Sequence, residues 1–171
     1  MNSPKFEKFA TYESERLNLR GITIGDADNL VRWRSHEDVY RYALDPRPIT
    51  HTEHATWFSK YMKNEQSYRA IITEKITGKD IGMIGGECEG EVFVISTNIG
   101  EPEFRGMGYA SEATSILISL LKKKNVSKIR ANIHKDNAAT ISYLCKSGFI
   151  EKDLCNSHDN SNYKVMEYTF L

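Results

Sequence analysis

Between residues 99 and 113 the chain reads Ile99-Gly100-Glu101-Pro102-Glu103-Phe104-Arg105-Gly106-Met107-Gly108-Tyr109-Ala110-Ser111-Glu112-Ala113. A strand-like apolar run passes through two closely spaced glycines into residues of helical period. A helix opening at such a turn aims its first, unpaired amides at one spot, where its macrodipole also favours negative charge. The chemistry this predicts is binding of a phosphate or pyrophosphate. Gly106 and Gly108 take positive φ cheaply and let the backbone approach an anion, and Arg105 adds a fixed charge on the rim. There is no Gly-Lys-Ser/Thr ending and no third glycine at dinucleotide spacing, which sets aside two other phosphate loops. An ordinary glycine turn before a surface helix would look the same locally, so the surroundings must decide.

Other residues compete for a chemical role. His51 and His54 are three apart on a predicted helix, but no third ligand lies nearby, so no metal site is expected. His158 has no companion ligands either. Cys88, Cys145 and Cys155 are an odd set without CxxC spacing, so neither a disulfide framework nor a zinc site is indicated. Cys145 has no base partner in the pattern, which argues against a covalent acyl-cysteine route. Glu87, Glu89 and Glu101 fall near strand ends where a general base would be useful, although charged turn residues are ordinarily just solvated.

The elements that must position these residues are legible in outline. Arg16 to Ile24 alternates apolar and polar residues as a half-buried strand does, and Asp26 and Asp28 open a short helix through Trp33 and Arg34. Thr50-His51-Thr52-Glu53 fits a capping box for a helix to about Lys63 that buries Ala55, Phe58 and Met62. Three strands follow, 68–73, 81–87 and 91–99, separated by turns at Gly78 and Gly90, which reads as an antiparallel meander. After Gly100 the period becomes helical, with Ala110, Ala113, Thr114, Leu117, Ile118 and Leu121 on one face and Lys122 to Lys124 in the last turn. A strand (128–134), a helix (137–147) and two late strands (149–152, 163–170) complete the chain. The order β-α-α-β-β-β-α-β-α-β-β predicts an α+β fold, a mixed and mostly antiparallel twisted sheet of about seven strands flanked by helices.

Length and composition bound the function. The 171 residues suit one domain spanning 1–171, and 23 Lys+Arg against 23 Asp+Glu leave no net charge, so neither nucleic acid nor a membrane surface is an expected partner. At 40% apolar and 27% charged residues the chain is not of disordered composition, and no apolar run approaches the roughly 20 residues of a membrane span. The N-terminus has no secretory pattern, so a cytoplasmic location is expected.

Taken together, the motifs resemble a known family. Arg105-x-x-Gly108-x-Ala110 is similar to the acyl-CoA pyrophosphate motif of the GNAT superfamily of N-acetyltransferases, and Asn137-x-x-Thr140 with Lys146-x-Gly148-Phe149 is similar to the helix and strand that follow it there. Glu15-Arg16-Leu17-x-Leu19-Arg20, Asp26-Ala27 and Trp33 resemble the RimJ/RimL-type branch, which acetylates protein N-termini. The segment Glu53-His54-x-x-Trp57-Phe58 resembles the second helix of GNAT enzymes that acetylate amino sugars on nucleotide carriers. The resemblance implies a GNAT fold with acetyl-CoA as co-substrate, wedged between the fourth and fifth strands (91–99 and 128–134). It implies pantetheine bonded to the backbone at Asn98, Ile99 and Gly100 and contacted by Asn137 and Thr140, with the pyrophosphate on Arg105, Gly106, Met107, Gly108, Tyr109, Ala110 and Ser111. The acceptor, a protein N-terminus or the amine of a small molecule or nucleotide-linked sugar, would approach from the early helices and the meander. An exposed edge strand leaves a homodimer open.

Acetyl transfer to an amine needs a neutral amine, a site for the oxyanion and a proton for the leaving thiolate. Proximity in a ternary complex supplies much of the rest. An α-amine with a pKa near 8 is roughly a tenth neutral at pH 7, whereas a lysine amine costs about 4.6 kcal/mol to deprotonate, so only the latter requires a strong base. In many members of the family a tyrosine seven residues after the helix asparagine is the acid; here that position is Leu144, with Tyr143 one place earlier. The RimL-type pattern instead puts a hydroxyl three residues after the asparagine, which is Thr140. Thr140 is the favoured acid, with Tyr143 and a bound water as alternatives. Leu144 also motivates a competing reading, a catalytically silent acyl-CoA-binding or sensing module.

Overall fold

The structure is a computed structural model, and it describes residues 3–152 and 162–171. Its eight strands are β1 (Thr11–Glu13), β2 (Leu17–Gly21), β3 (Ser67–Glu74), β4 (Asp80–Glu89), β5 (Val92–Ile99), β6 (Lys128–His134), β7 (Ile150–Lys152) and β8 (Tyr163–Thr169). The helices are α1 (Ala27–Arg34), α2 (Glu37–Tyr40), α3 (His51–Lys63), α4 (Tyr109–Lys123) and α5 (Ala138–Lys146). The sheet runs in the order β1-β2-β3-β4-β5-β6-β8-β7, antiparallel except where β5 meets β6. Two elements exceed the sequence expectation. β1 is three residues long and α2 four, too short to carry a readable period, so the sheet has eight strands where about seven were expected. Among the described residues no helix is long and apolar enough to cross a membrane. Cys155 and His158 lie outside the described residues.

Strand alternation divides the core. Tyr68, Ala70 and Ile72 of β3 join Leu17, Leu19, Phe93 and α4's Ala113, Leu117 and Leu121 in one cluster. Ile71 joins Ile22, Leu30, Trp33 and Tyr61 in a second, beneath α1 and α3. At about 25 cal/mol per Å² of apolar surface, burial of each leucine, isoleucine or phenylalanine side chain here contributes on the order of 1.5–3 kcal/mol.

The capping box at α3 forms in both directions: Glu53 N–H donates to Thr50 Oγ1 at 3.1 Å and Thr50 N–H to Glu53 Oε2 at 2.8 Å. The buried face of α3 is the expected one only at Phe58. Ala55 and Met62 are exposed, while His54 and Tyr61 are buried and Trp57 and Phe58 pack against the second cluster. Aromatic rings bury more area than alanine or methionine, and Tyr61 finds a polar partner inward, its hydroxyl accepting from Arg69 N–H at 3.0 Å.

The feature that makes a site is a split in the sheet. β5 and β6 pair in parallel only over Val92–Val94 and Lys128–Arg130. Beyond these residues the strands diverge, and β5 from Ile95 to Ile99 has no strand partner on that side.

Candidate active site

The glycine turn sits where the split opens. Gly106 (φ +74°) and Gly108 (φ +81°) are both left-handed, and Gly108 caps α4. The first helical bond of α4 runs from Glu112 N–H to Gly108 O at 3.0 Å, so the amides of Tyr109, Ala110 and Ser111 lie outside the helical ladder. The loop is tied to the other end of the domain. Arg16 donates from Nη1 to Met107 O at 3.0 Å and from Nε to Glu112 Oε2 at 2.6 Å, with its guanidinium 4.4 Å from the Tyr109 ring centroid. Burial would raise the Glu112 carboxyl, but bonds from Ser14 Oγ, Arg16 N–H and Arg16 Nε hold it below the ordinary carboxylate range.

Arg105 differs from its expected part as a free rim charge. Its Nε donates to Ile99 O at 2.9 Å, its Nη2 to Gly100 O at 3.2 Å, and its Nη1 to Asp38 Oδ2 at 3.1 Å. The guanidinium therefore pins the end of β5 and occupies carbonyls that the sequence reading offered to pantetheine. Its planar fork suits this, since one group reaches two adjacent carbonyls and a carboxylate.

A cavity of about 1190 Å³ fills the split and continues beneath α1 and α3. That exceeds an ordinary single-ligand pocket and suits two substrates side by side. Of the sequence-predicted residues, Asn98, Ile99, Arg105, Gly106, Gly108, Tyr109, Ala110, Ser111, Asn137, Thr140 and Tyr143 border it. Gly100 and Met107 do not. Gly100 is buried under Trp33, and the Met107 side chain is exposed.

Two polar atoms at the split are buried, Asn98 Oδ1 with no hydrogen-bond partner among the described residues and Thr97 Oγ1 facing the Tyr143 hydroxyl. Buried polar atoms are ordinarily paired, so Asn98 Oδ1 marks where a ligand with amide or hydroxyl groups would bind. From α5, Thr140, Tyr143 and Leu144 border the cavity, and Leu144 is also part of the buried core. Burial raises the pKa of the Tyr143 hydroxyl, offset in part by the hydroxyls of Thr97 and Thr114, which it faces. Asn137 caps α5, its Oδ1 accepting from Thr140 N–H at 3.3 Å, so that amide is committed to the helix end, and Thr140 itself borders the cavity.

On the opposite side the cavity meets His54 and Trp57 of α3, Arg69 of β3 and Ser96 of β5. His51 and His54 part company: His51 Nε2 pairs with Asp28 Oδ1 at 2.8 Å, whereas His54 is buried and its Nε2 has no partner among the described residues. Burial, with His51 beside it, lowers the His54 pKa. None of Glu87, Glu89 and Glu101 borders the cavity. Glu101 is buried, held by Arg32 Nη2 and by Trp33 Nε1 at 2.9 Å.

A family model, "Acetyltransferase (GNAT) domain", matches residues 16–150, most of the chain. The chain belongs to the GNAT acetyltransferases. It is 26% identical over 165 residues to the uncharacterized N-acetyltransferase p20 of Bacillus licheniformis, covering 92% of each chain. It is 24% identical over 139 residues to the uncharacterized protein MJ1062 of Methanocaldococcus jannaschii, 80% of this chain but only 28% of that protein's length. The fold is similar to that of spermidine N-acetyltransferase from Vibrio cholerae, solved with CoA and spermine, at a TM-score of 0.78 and 16% identity over 91% of this chain and 96% of the other.

Within this GNAT domain, sequence reasoning missed Arg69. The available signal was an arginine inside the run Tyr68-Arg69-Ala70-Ile71-Ile72, where the neighbours are buried. A charged residue in a central strand needs a reason, and the strand pattern alone did not supply one.

Proposed function

We propose that this chain transfers the acetyl group of acetyl-CoA to a primary amine by direct attack in a ternary complex. The observation that carries the reading is the left-handed Gly106/Gly108 turn opening α4 at the point where β5 and β6 part. In the proposed complex the amides from Gly106 to Ser111 hold the pyrophosphate, and the free side of β5 with Asn98 and Asn137 holds the pantetheine. The unpartnered Asn98 Oδ1 fits the amide-rich pantetheine arm.

Acetyl-CoA supplies an activated thioester. The amine nitrogen bonds to the acetyl carbon as the carbon–sulfur bond breaks; in net balance the proton lost by nitrogen ends on sulfur. The residues of this chain then have two tasks, orienting the amine and delivering that proton. Thr140 is the proposed acid, with Tyr143 three residues on along α5 as the second hydroxyl within the cavity. Position on α5 does not separate them, since residues three apart share a helix face.

The proposed acceptor is either the N-terminal amine of a protein, as the RimJ/RimL-like opening from Glu15 to Arg20 suggests, or a small-molecule or nucleotide-linked amino-sugar amine, as Glu53 to Phe58 suggests. Incubation with acetyl-CoA and panels of peptides and amino sugars tests the reading. Release of free thiol with an acetylated product supports it; CoA binding without turnover on any panel overturns it.

A further inference from the structure

Arg69 reaches across the sheet. Arg69 in β3 is registered against Gly85 in β4, and Gly85 against Ser96 in β5. Arg69 Nη1 nevertheless donates to Ser96 Oγ at 3.1 Å, crossing a whole strand to do so. Gly85 leaves room both for the close approach of β3 and for the arginine stem: a Cβ built there would lie 2.2 Å from Tyr68 O, 2.6 Å from Arg69 Cα and 2.9 Å from Arg69 Cγ.

The guanidinium lies 5.4 Å from the ring centroid of Trp57. Trp57 is itself braced, stacked on Tyr61 with ring planes 12° apart and tilted against His54 at 5.4 Å. Arg69, Ser96, Trp57 and His54 all border the cavity.

The charge of Arg69 has no local counterpart. The Ser96 bond is the one side-chain bond it makes among the described residues, leaving four of its five N–H donors available. Glu87 acts on it only from beyond ion-pair distance, and the Glu87 carboxylate accepts from Asn64 Nδ2 at 3.0 Å. The other arginines at the cavity are committed: Arg105 to Asp38, Arg47 to Asp45 and Glu53, Arg41 to Asp38, and Arg34 to the carbonyls of Asp45 and Arg47. Arg69 is half-buried and its bond to Ser96 is open to solvent, so its permanently charged guanidinium is presented to the cavity rather than sealed in the core. A bidentate oxyanion is the partner its fork fits.

We propose that Arg69, with Ser96 and Trp57, anchors the acceptor: the amine belongs to a molecule that also carries an oxyanion, a carboxylate or phosphate, held on Arg69 while Trp57 covers an adjacent flat or apolar face. The inference rests on the acetyltransferase reading and narrows its acceptor. Ser96 is two residues from Asn98, about 7 Å along β5, so the oxyanion sits a short molecule's length from the residues assigned to pantetheine. A polycation such as spermine is repelled by the same charge.

The test is acetylation of two matched pairs: glucosamine 6-phosphate against glucosamine, and the dipeptide Ala-Gly against its C-terminal amide. The expected result is a preference of tenfold or more in kcat/KM for the oxyanion member of one pair, carried by KM, with the pair identifying phosphate or carboxylate. Arg69→Gln brings that member down to the level of its neutral partner while the Kd for CoA stays within twofold. Arg69→Lys, which keeps the charge and loses the fork, gives an intermediate preference and serves if the glutamine variant does not fold. No preference in either pair, or one that survives loss of Arg69, overturns the proposal. Independently of turnover, calorimetric titration of CoA-saturated protein with inorganic phosphate and with acetate should show saturable binding of one, lost in Arg69→Gln; binding of neither, or binding unchanged in the variant, overturns it too. Failure of the acetyltransferase reading is separately visible as no thiol release with any amine.

Discussion

The indole of Trp33 lies against the backbone of Gly100, so close that a Cβ built on Gly100 would sit 2.1 Å from Trp33 Cγ. The same indole donates from Nε1 to Glu101 Oε1 at 2.9 Å, so one side chain of α1 grips both residues that follow β5. Arg105 holds the carbonyls of Ile99 and Gly100 from the far side. The end of β5 is thus clamped where the proposed pantetheine site meets the phosphate loop. Gly100→Ala forces the indole or the strand to move, and overpacking of this kind costs typically about 1–3 kcal/mol. Urea denaturation should show that loss, together with reduced CoA affinity because the clamp aligns the loop.

Gly108→Val tests the loop itself. Gly108 has φ +81°, which a β-branched residue adopts only at a cost of about 1–3 kcal/mol, and its amide neighbours are the proposed phosphate donors. The expected outcome is a tenfold or greater rise in the Kd for CoA by calorimetry, with far-UV circular dichroism nearly unchanged. Unchanged affinity contradicts the phosphate cradle.

Thr140→Ala and Tyr143→Phe separate the two candidate acids. General acid catalysis is typically worth about 10²–10⁴-fold, so loss of the acid should lower kcat by that order with KM for acetyl-CoA changed only a few-fold. The larger drop is expected at Thr140. A larger drop at Tyr143 assigns the proton to the phenol instead, and a wild-type kcat in both variants removes both from the chemistry.

Acid should loosen the clamp at β5 before the rest of the core. Hydrogen bonds from Arg32 and Trp33 outweigh burial and hold the Glu101 carboxyl below its ordinary value of 4.5. A depressed folded-state pKa contributes stability that is present above the unfolded value and lost as pH falls through the folded one. Glu101→Gln should therefore destabilise by about 1–3 kcal/mol at neutral pH, and its deficit against wild type should shrink as pH drops below about 4.5. Denaturation midpoints for the two proteins between pH 7 and pH 3 check this; a deficit that does not change with pH contradicts it.

What was legible in the sequence was local. The Thr50/Glu53 box and the Gly106-x-Gly108 turn lie within a few residues, and each forms as its residue types demand. The strand and helix periods likewise recovered every long element. The illegible parts join distant residues. Arg16 with Glu112, Arg105 with Asp38, and Arg69 with Ser96 across Gly85 depend on the register of the sheet and the seating of helices on it, which no local pattern encodes. On α3 Phe58 packs inward as expected, but Ala55 and Met62 do not, because the cluster over Ile71 accommodates the aromatic rings of Trp57, Phe58 and Tyr61 instead. Arg105 borders the cavity, and that it also braces the carbonyls of Ile99 and Gly100 is legible only in the folded structure.

The most direct measurement is a crystal structure of the protein with acetyl-CoA. The account predicts the diphosphate on the main-chain nitrogens from Gly106 to Ser111 and the thioester in the gap between β5 and β6, beside Thr97, Thr140 and Tyr143. A nucleotide seated outside that gap, or no density at saturating acetyl-CoA, would contradict it.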